Sequence, residues 1–342
     1  MRRRVSVIIR SKDEADRLRL TLTSLACQNQ PPEVVVVNDG SSDHTKDVIA
    51  AMQGMDIVAL HNATPSGRSA ASNAGAAAAG GDVLLFLDGD TLAAPDLVSE
   101  HLSRHRERAN VMVRGSTHNL RCTRPFLDPE FGTPQPGEER RVERMSATER
   151  ERAIVTREQI RSRFHEIDRR SQPGVYPGFG PRKLFELEME ALTAGTDCSV
   201  LWAASSGANL SVDRLVFLDN GGFKRELDNN EHRELALRLC KRGLSMVGIK
   251  ARTYHLTHRA GWRDPLEDRA WENTFFAAHP TAEVALLPIF WASLADAPDL
   301  PEAARLHSLP DLAAAAERCK GFVGRQAVRE AHLRWARTGT VR

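Results

Sequence analysis

The sequence predicts an α/β fold built on a mostly parallel sheet with helices on both faces. Three observations carry that expectation. Short β-branched runs alternate with helical patterns through roughly the first hundred residues, residues 34–37 are a valine run, and two of the early runs end in acidic turns that contain glycine. Such alternation marks βαβ units. A valine run suits a strand buried on both of its faces.

Each element follows from its own residues. Residues 5–9 read as a strand, and residues 13–27 as a helix with Leu18, Leu22 and Leu25 on one face. The valine strand ends in Asn38-Asp39-Gly40-Ser41-Ser42-Asp43, after which a helix runs to about Met52. Residues 57–60 form a third strand, 68–79 a small-residue helix and 83–87 a fourth strand, which ends in Asp88-Gly89-Asp90. Pro95 opens another helix, and residues 111–114 form a further strand. Between 119 and 181 the pattern breaks: prolines cluster at 125, 129, 134 and 136, and a charged helix follows with the capping box Ser146 to Glu149. This segment reads as an insertion. The pattern resumes through Gly207-Ala208-Asn209-Leu210-Ser211, Gly221-Gly222-Phe223 and a helix over about 230–242, and the chain ends in Ala/Leu-rich helices from Pro280 onward. The expected division is therefore 1–118, an insertion at 119–181, a second half of the same domain at 182–279, and a helical extension at 280–342.

Composition narrows the function. The chain has 342 residues, 41% hydrophobic and 27% charged, which fits a globular fold and excludes disordered, collagenous and coiled-coil classes. Its formal net charge of +2 supplies no field for gripping nucleic acid. Five widely spaced cysteines without a CxxC pair point to neither a disulfide framework nor a zinc site. The basic start is followed by too short an apolar run for a signal peptide, and no stretch approaches the roughly 20 apolar residues that span a bilayer. The expectation is a soluble cytoplasmic protein without a transmembrane segment.

In an open parallel sheet, ligands bind beyond the carboxyl ends of the strands. Parallel topology puts the turns at Asp39 and at Asp88-Gly89-Asp90 on one such edge. One acid there accepts a hydrogen bond from a base or sugar, while acids flanking a glycine hold a hard divalent cation, Mn²⁺ or Mg²⁺. That cation would clamp a diphosphate and neutralise it as it leaves, so the expected substrate is a nucleoside diphosphate conjugate.

The segments 5–14, 36–43, 67–75 and 85–90, in that order and spacing, resemble the successive motifs of the family 2 glycosyltransferases. The likeness covers residues 5 to about 115 and resumes over about 200–260. It implies a GT-A fold and transfer of a sugar from a nucleotide sugar, usually a UDP-sugar, to a glycan or small-molecule acceptor, with a divalent metal and usually with inversion. Carried over by position, it implies that Ser11 and Asp39 contact the uridine, that Arg68 lies near the pyrophosphate, that Asp88 sits by the ribose, and that Asp90 of this DxD motif binds the metal. It further implies that the helix beginning at Glu231 carries the family's acidic pair, and that residues 254–258 supply another metal ligand, His255 ahead of His258.

The sequence departs from the family pattern at three places: Asn38 precedes Asp39 where an Asp is usual, Ser72 precedes Asn73 where an Arg is usual, and His232 stands where the second acid commonly serves as base. His232, Glu231 and Asp228 all remain candidates for that base. Trp202 and Trp262 are candidates to stack on a sugar ring, although such residues are more often core, and Arg259 and Arg263 to face a diphosphate. The apolar run 284–295, interrupted by Pro288, is expected to pack internally, with homodimer formation or a membrane-surface contact as lesser options. Two competing readings stand beside the transferase: a degenerate relative that binds without turnover, and a sugar-phosphate nucleotidyltransferase, which lacks its expected Gly-rich loop after the first strand.

Overall fold

The computed structural model describes residues 3–174, 181–258, 269–294 and 299–341. Its first half runs β1 (Val5–Ser11), α1 (Ala15–Ala26), β2 (Glu33–Asp39), α2 (Thr45–Ala50), β3 (Ile57–Asn62), α3 (Arg68–Ala78), β4 (Val83–Asp88), β5 (Thr91–Ala93), α4 (Leu97–Glu107) and β6 (Val111–Leu120). The insertion follows as the hairpin β7 (Phe126–Asp128) and β8 (Thr133–Pro134), then α5 (Glu139–Glu143), α6 (Ala147–Ala153), α7 (Arg157–Ser162), α8 (Phe164–Arg170) and β9 (Gln172–Pro173). The remainder is α9 (Pro181–Thr193), β10 (Leu210–Asp213), α10 (Arg214–Asp219), α11 (Glu231–Cys240), β11 (Ser245–Leu256), α12 (Trp271–Ala278), α13 (Ala282–Leu294), α14 (Leu309–Arg318) and α15 (Arg325–Thr338).

One sheet organises the described residues, in the order β3-β2-β1-β4-β10-β6-β11-β5, with β9 paired to β6. Strands β3, β2, β1 and β4 are parallel, as the βαβ pattern requires, and β6 and β11 are parallel to each other. Strand β10 enters antiparallel between β4 and β6, and the short β5 closes the far edge antiparallel to β11. Because side chains alternate across a strand, Val7, Ile9, Val34, Val36 and Leu85 pack with α1, α2 and α4 on one face. Ile8, Val35, Leu84 and Phe86 pack with α3, α9 and the helices that follow on the other. The valine strand is thus buried on both sides, as expected.

The C-terminal helices share this second core rather than forming one of their own. Leu286, Leu287 and Phe290 of α13 and Leu312 of α14 are fully buried in it, and so the apolar run is internal up to Leu294. Trp202 is buried against Phe275, which corrects its candidacy as a sugar platform. Trp262, Arg259 and Arg263 lie outside the described residues. Strand β6 continues through Leu120, so its last two residues belong to the stretch expected as an insertion. It is anchored to α1, where Arg17 donates to the Phe126 carbonyl at 2.6 Å and Arg19 to Asp128 at 2.9 Å. The charged helix expected there is several short ones, and the capping box at Ser146 is present. No helix among the described residues is long and apolar enough to cross a membrane.

Candidate active site

The carboxyl ends of β2, β1 and β4 lie side by side, bringing Asp39, Ser11 and Asp88 to one edge. Loop chemistry holds that edge together. Asp13 accepts from the Ser42 amide at 2.7 Å and Asp43 from the Ala15 amide at 2.9 Å, joining the loops after β1 and β2. Gly40 is required between them, since its φ is +73° and a side-chain carbon there would lie 2.6 Å from the Pro65 nitrogen. Asn38 caps the turn through the Ser41 amide at 3.1 Å.

Asp39 organises the loop that leads into α3. Its Oδ1 accepts from Asn62 at 2.7 Å and from the Ser66 amide and hydroxyl at 2.8 and 2.7 Å, and its Oδ2 accepts from the Gly67 amide at 3.0 Å. Burial pushes this carboxyl up, but the four donors win and hold it below the usual carboxylate range. Asp228 comes to the same loop: its Oδ1 lies 3.3 Å from where a side chain on Gly67 would begin.

Beyond β4 the short β5 pairs with β11, matching Thr91 to His255, and the Leu256 amide donates to the Asp90 carbonyl at 2.8 Å. This pairing sets Asp90 Oδ2 3.2 Å from His255 Nε2 and 2.7 Å from His258 Nε2. The ligand atoms of all three residues lie within 4.8 Å of one another. His258 therefore stands in the cluster alongside His255. Asn119 Oδ1 is 3.3 Å from His255 Nδ1, an acceptor that would keep the ring proton on Nδ1 and leave Nε2 for a bound ion. Burial opposes the charge on Asp90, yet the two imidazoles outweigh it and hold the carboxyl well below its ordinary range. Glu14 adds a further acid: burial and then the charges of Asp90 and Asp88 push its carboxyl well up. Two imidazoles and a carboxylate form a donor set that suits a Mn²⁺-class cation. The hydroxyl of Ser11 is buried beside Glu14.

Arg10 ties this edge to the second half of the fold. Its guanidinium donates to Asp88 at 2.7 Å and lies 3.8 Å from Glu231, the first residue of α11. Burial pushes the Glu231 carboxyl up, but His232, Arg10 and Arg68 prevail and hold it at about 2. His232 stands beside Glu231, with Nδ1 3.8 Å from Oε2. Asn73, at the expected position of the third motif, accepts from the Phe223 amide at 2.8 Å and donates to its carbonyl at 2.7 Å, pinning the Gly221-Gly222-Phe223 turn to α3.

Residues 6–144 match the model of glycosyl transferase family 2. That match covers 139 of the 342 residues, so the likeness to glycosyltransferase family 2 is that of this segment. Over 116 residues, 33% of the chain and 29% of the relative, the chain is 34% identical to the uncharacterized glycosyltransferase YfnE of Bacillus subtilis. It is 37% identical over 95 residues, 27% of the chain and 30% of the relative, to an uncharacterized glycosyltransferase of Nostoc sp.. The matched stretch thus spans less than a third of either curated relative. Among solved structures, S. aureus TarS 1-349 in complex with UDP-GlcNAc is similar at a TM-score of 0.57 and 14% identity, over 99% of this chain and 88% of that one. The mannosyltransferase PcManGT from Pyrobaculum calidifontis, in complex with GDP-Man and Mn²⁺, is similar at 0.51 and 16% identity, over 98% and 74%. The fold is GT-A.

Sequence reasoning missed Arg10, Glu14 and Asn119 in this candidate site. Arg10 carried a signal, a charge at the end of an otherwise apolar strand. Asn119 carried none, since only the β6 register with β11 brings it opposite His255.

Proposed function

We propose that the chain is a metal-dependent glycosyltransferase that moves a sugar from a nucleoside diphosphate sugar, UDP-linked, to an acceptor hydroxyl with inversion. The observation that carries this reading is the convergence of Asp90, His255 and His258 at the same sheet edge as Asp39 and Asp88. The TarS structure holds UDP-GlcNAc and PcManGT holds GDP-Man with Mn²⁺, so a nucleotide sugar is the class this fold accommodates in its neighbours.

Asp90, His255 and His258 would hold the cation, which when bound supplies Lewis-acid neutralisation of the departing diphosphate. Asp39 and the loop it clamps face the nucleoside, and Arg68 at the head of α3 lies toward the diphosphate. Arg10 orients Asp88 toward the ribose. Glu231 serves as the base, since it stays ionised beside Arg10 and Arg68 while Asp228 belongs to the donor-side loop. A weakly basic carboxylate suffices, because the acceptor hydroxyl becomes strongly acidic as its oxygen bonds to an oxocarbenium-like carbon. In this division residues 1–118 bind the donor and 182–279 present the base, while the insertion and the C-terminal helices shape the acceptor side.

The test is release of nucleoside diphosphate from a panel of UDP- and GDP-sugars with Mn²⁺ or with EDTA. Metal-dependent release from a UDP-sugar supports the reading. Release indifferent to EDTA removes the metal, and neither binding nor release across the panel returns the chain to a non-catalytic role.

A further inference from the structure

We propose that His232 is the hydrogen-bond donor that seats the acceptor hydroxyl against Glu231, with Arg233 fixing the ring in the state that donates, so that His232 is not the base. The inference rests on the transferase reading above.

The ring is held from one side. Arg233 Nη1 lies 3.0 Å from His232 Nε2 and 2.9 Å from Asn230 Oδ1. A guanidinium only donates, so Nε2 accepts and the proton of the neutral imidazole sits on Nδ1. Arg233 is itself fixed: Nε donates to the Ala203 carbonyl at 2.7 Å, Nη2 donates to Glu188 at 2.9 Å, and the group lies over the Trp291 ring at 5.1 Å. Glu188 is buried and also takes Arg114 at 2.5 Å. Burial, aided by the Arg233 and Arg114 charges, keeps the imidazole below its ordinary pKa despite Glu231.

The other side of the ring is unsatisfied. Among the described residues Nδ1 is buried without a hydrogen-bond partner, and Glu231 Oε2 stands 3.8 Å away. Both groups border the space at Gly207, where an added methyl would lie 3.4 Å from Nδ1 and 3.7 Å from Glu231 Oε1. A buried N–H with no acceptor is costly enough that natural structures rarely keep one. Here it shares a gap with a carboxylate, and an oxygen at about 2.8 Å from each group fits a pair so spaced. A hydroxyl meets both demands, accepting from Nδ1–H and donating to the carboxylate.

In the reaction the acceptor O–H bond breaks and its proton passes to Glu231. The oxygen bonds to the anomeric carbon, whose bond to the diphosphate oxygen breaks, and the nucleoside diphosphate leaves with that electron pair. His232 keeps its proton throughout.

Nitrogen-15 NMR of the histidine-labelled full chain near neutral pH reads the ring directly, with the His232 signal assigned by its loss in H232N. The expected spectrum has Nδ1 protonated and Nε2 bare, with R233M moving the proton toward Nε2. A wild-type ring protonated on Nε2, or on both nitrogens, overturns the proposal. Turnover separates donor from base, because Asn places an N–H near the position of Nδ1, Gln places one near Nε2, and neither takes up a proton. H232N should release nucleoside diphosphate from a UDP-sugar about tenfold faster than H232Q, the worth of one hydrogen bond to the reacting oxygen. Equal losses in both contradict the donor role. A wild type that neither binds nor cleaves any sugar nucleotide overturns the transferase reading, and the acceptor role with it, while the ring state stands or falls on the spectrum alone.

Discussion

Arg10 joins the two halves of the site, since it touches Asp88 from the donor edge and approaches Glu231 from α11. It is one of the groups that hold the Glu231 carboxyl at about 2, and removing a cation raises an acid's pKa. R10Q should therefore move the acid limb of the pH–rate profile upward, because the ionised base is lost at a higher pH as acid is added. An unmoved acid limb would separate Arg10 from the base. Asp90 makes a sharper test at the same scale: D90A should abolish the Mn²⁺-dependent part of UDP binding, measured by calorimetry, while leaving the metal-independent part. The acids of this site were legible because Asp39 and Asp90 follow strands whose apolar pattern is unmistakable. The choice among His232, Glu231 and Asp228 was not legible, because it depends on which neighbours each one meets. Arg233, which takes the one ring nitrogen that could act as a base, comes from the next residue but is held by Glu188 and Trp291 from elsewhere in the chain.

At the level of elements, β1 to β4 and their helices were readable from valine-rich runs and leucine spacing. Strands β5 and β9 were not: they have three and two residues, too few to show a period, and pairing with distant partners defines them, while β10 was expected only through the family resemblance at 207–211. That gap matters for the site, since β5 against β11 is what carries His255 to Asp90. The Gly221-Gly222-Phe223 turn was recognised by its residues, but its attachment was not. Asn73 fastens it to α3 with two hydrogen bonds spanning 150 residues of chain. N73A should cost about 2 kcal/mol in urea unfolding, the worth of two such bonds, and a change near zero would show that packing alone holds the turn.

For the molecule as a whole, the C-terminal helices were readable as helices but not as part of the central core, because an all-apolar helix such as α13 does not announce which neighbour buries it. The buried histidines set how the fold responds to acid. His101 lies between Ser211 and Asn209 at 2.7 Å each, and His105 meets Ser211 at 2.8 Å. Burial lowers them to about 4 and about 3, with His101 and Arg3 adding to the effect on His105. Both native values lie below that of an unfolded histidine, so the unfolded chain takes up protons that the native state refuses. Their contribution is intact above about pH 7 and falls as pH drops through 6.5 toward those values, by about 1.4 kcal/mol per pH unit for each histidine. The urea midpoint should therefore fall more steeply between pH 6.5 and 5 in the wild type than in H105Q, and equal slopes would contradict the buried neutral pair.

On the proposed reading one cation, gripped by residues from two distant parts of the chain, holds a nucleoside diphosphate at the sheet edge. Anomalous diffraction at the manganese edge, from crystals grown with UDP and Mn²⁺, addresses it directly. A single peak bonded to Asp90, His255 and His258 is expected, with the diphosphate touching the same ion. A diphosphate bound at this edge with no manganese beside it, or manganese bound away from Asp90, would contradict it.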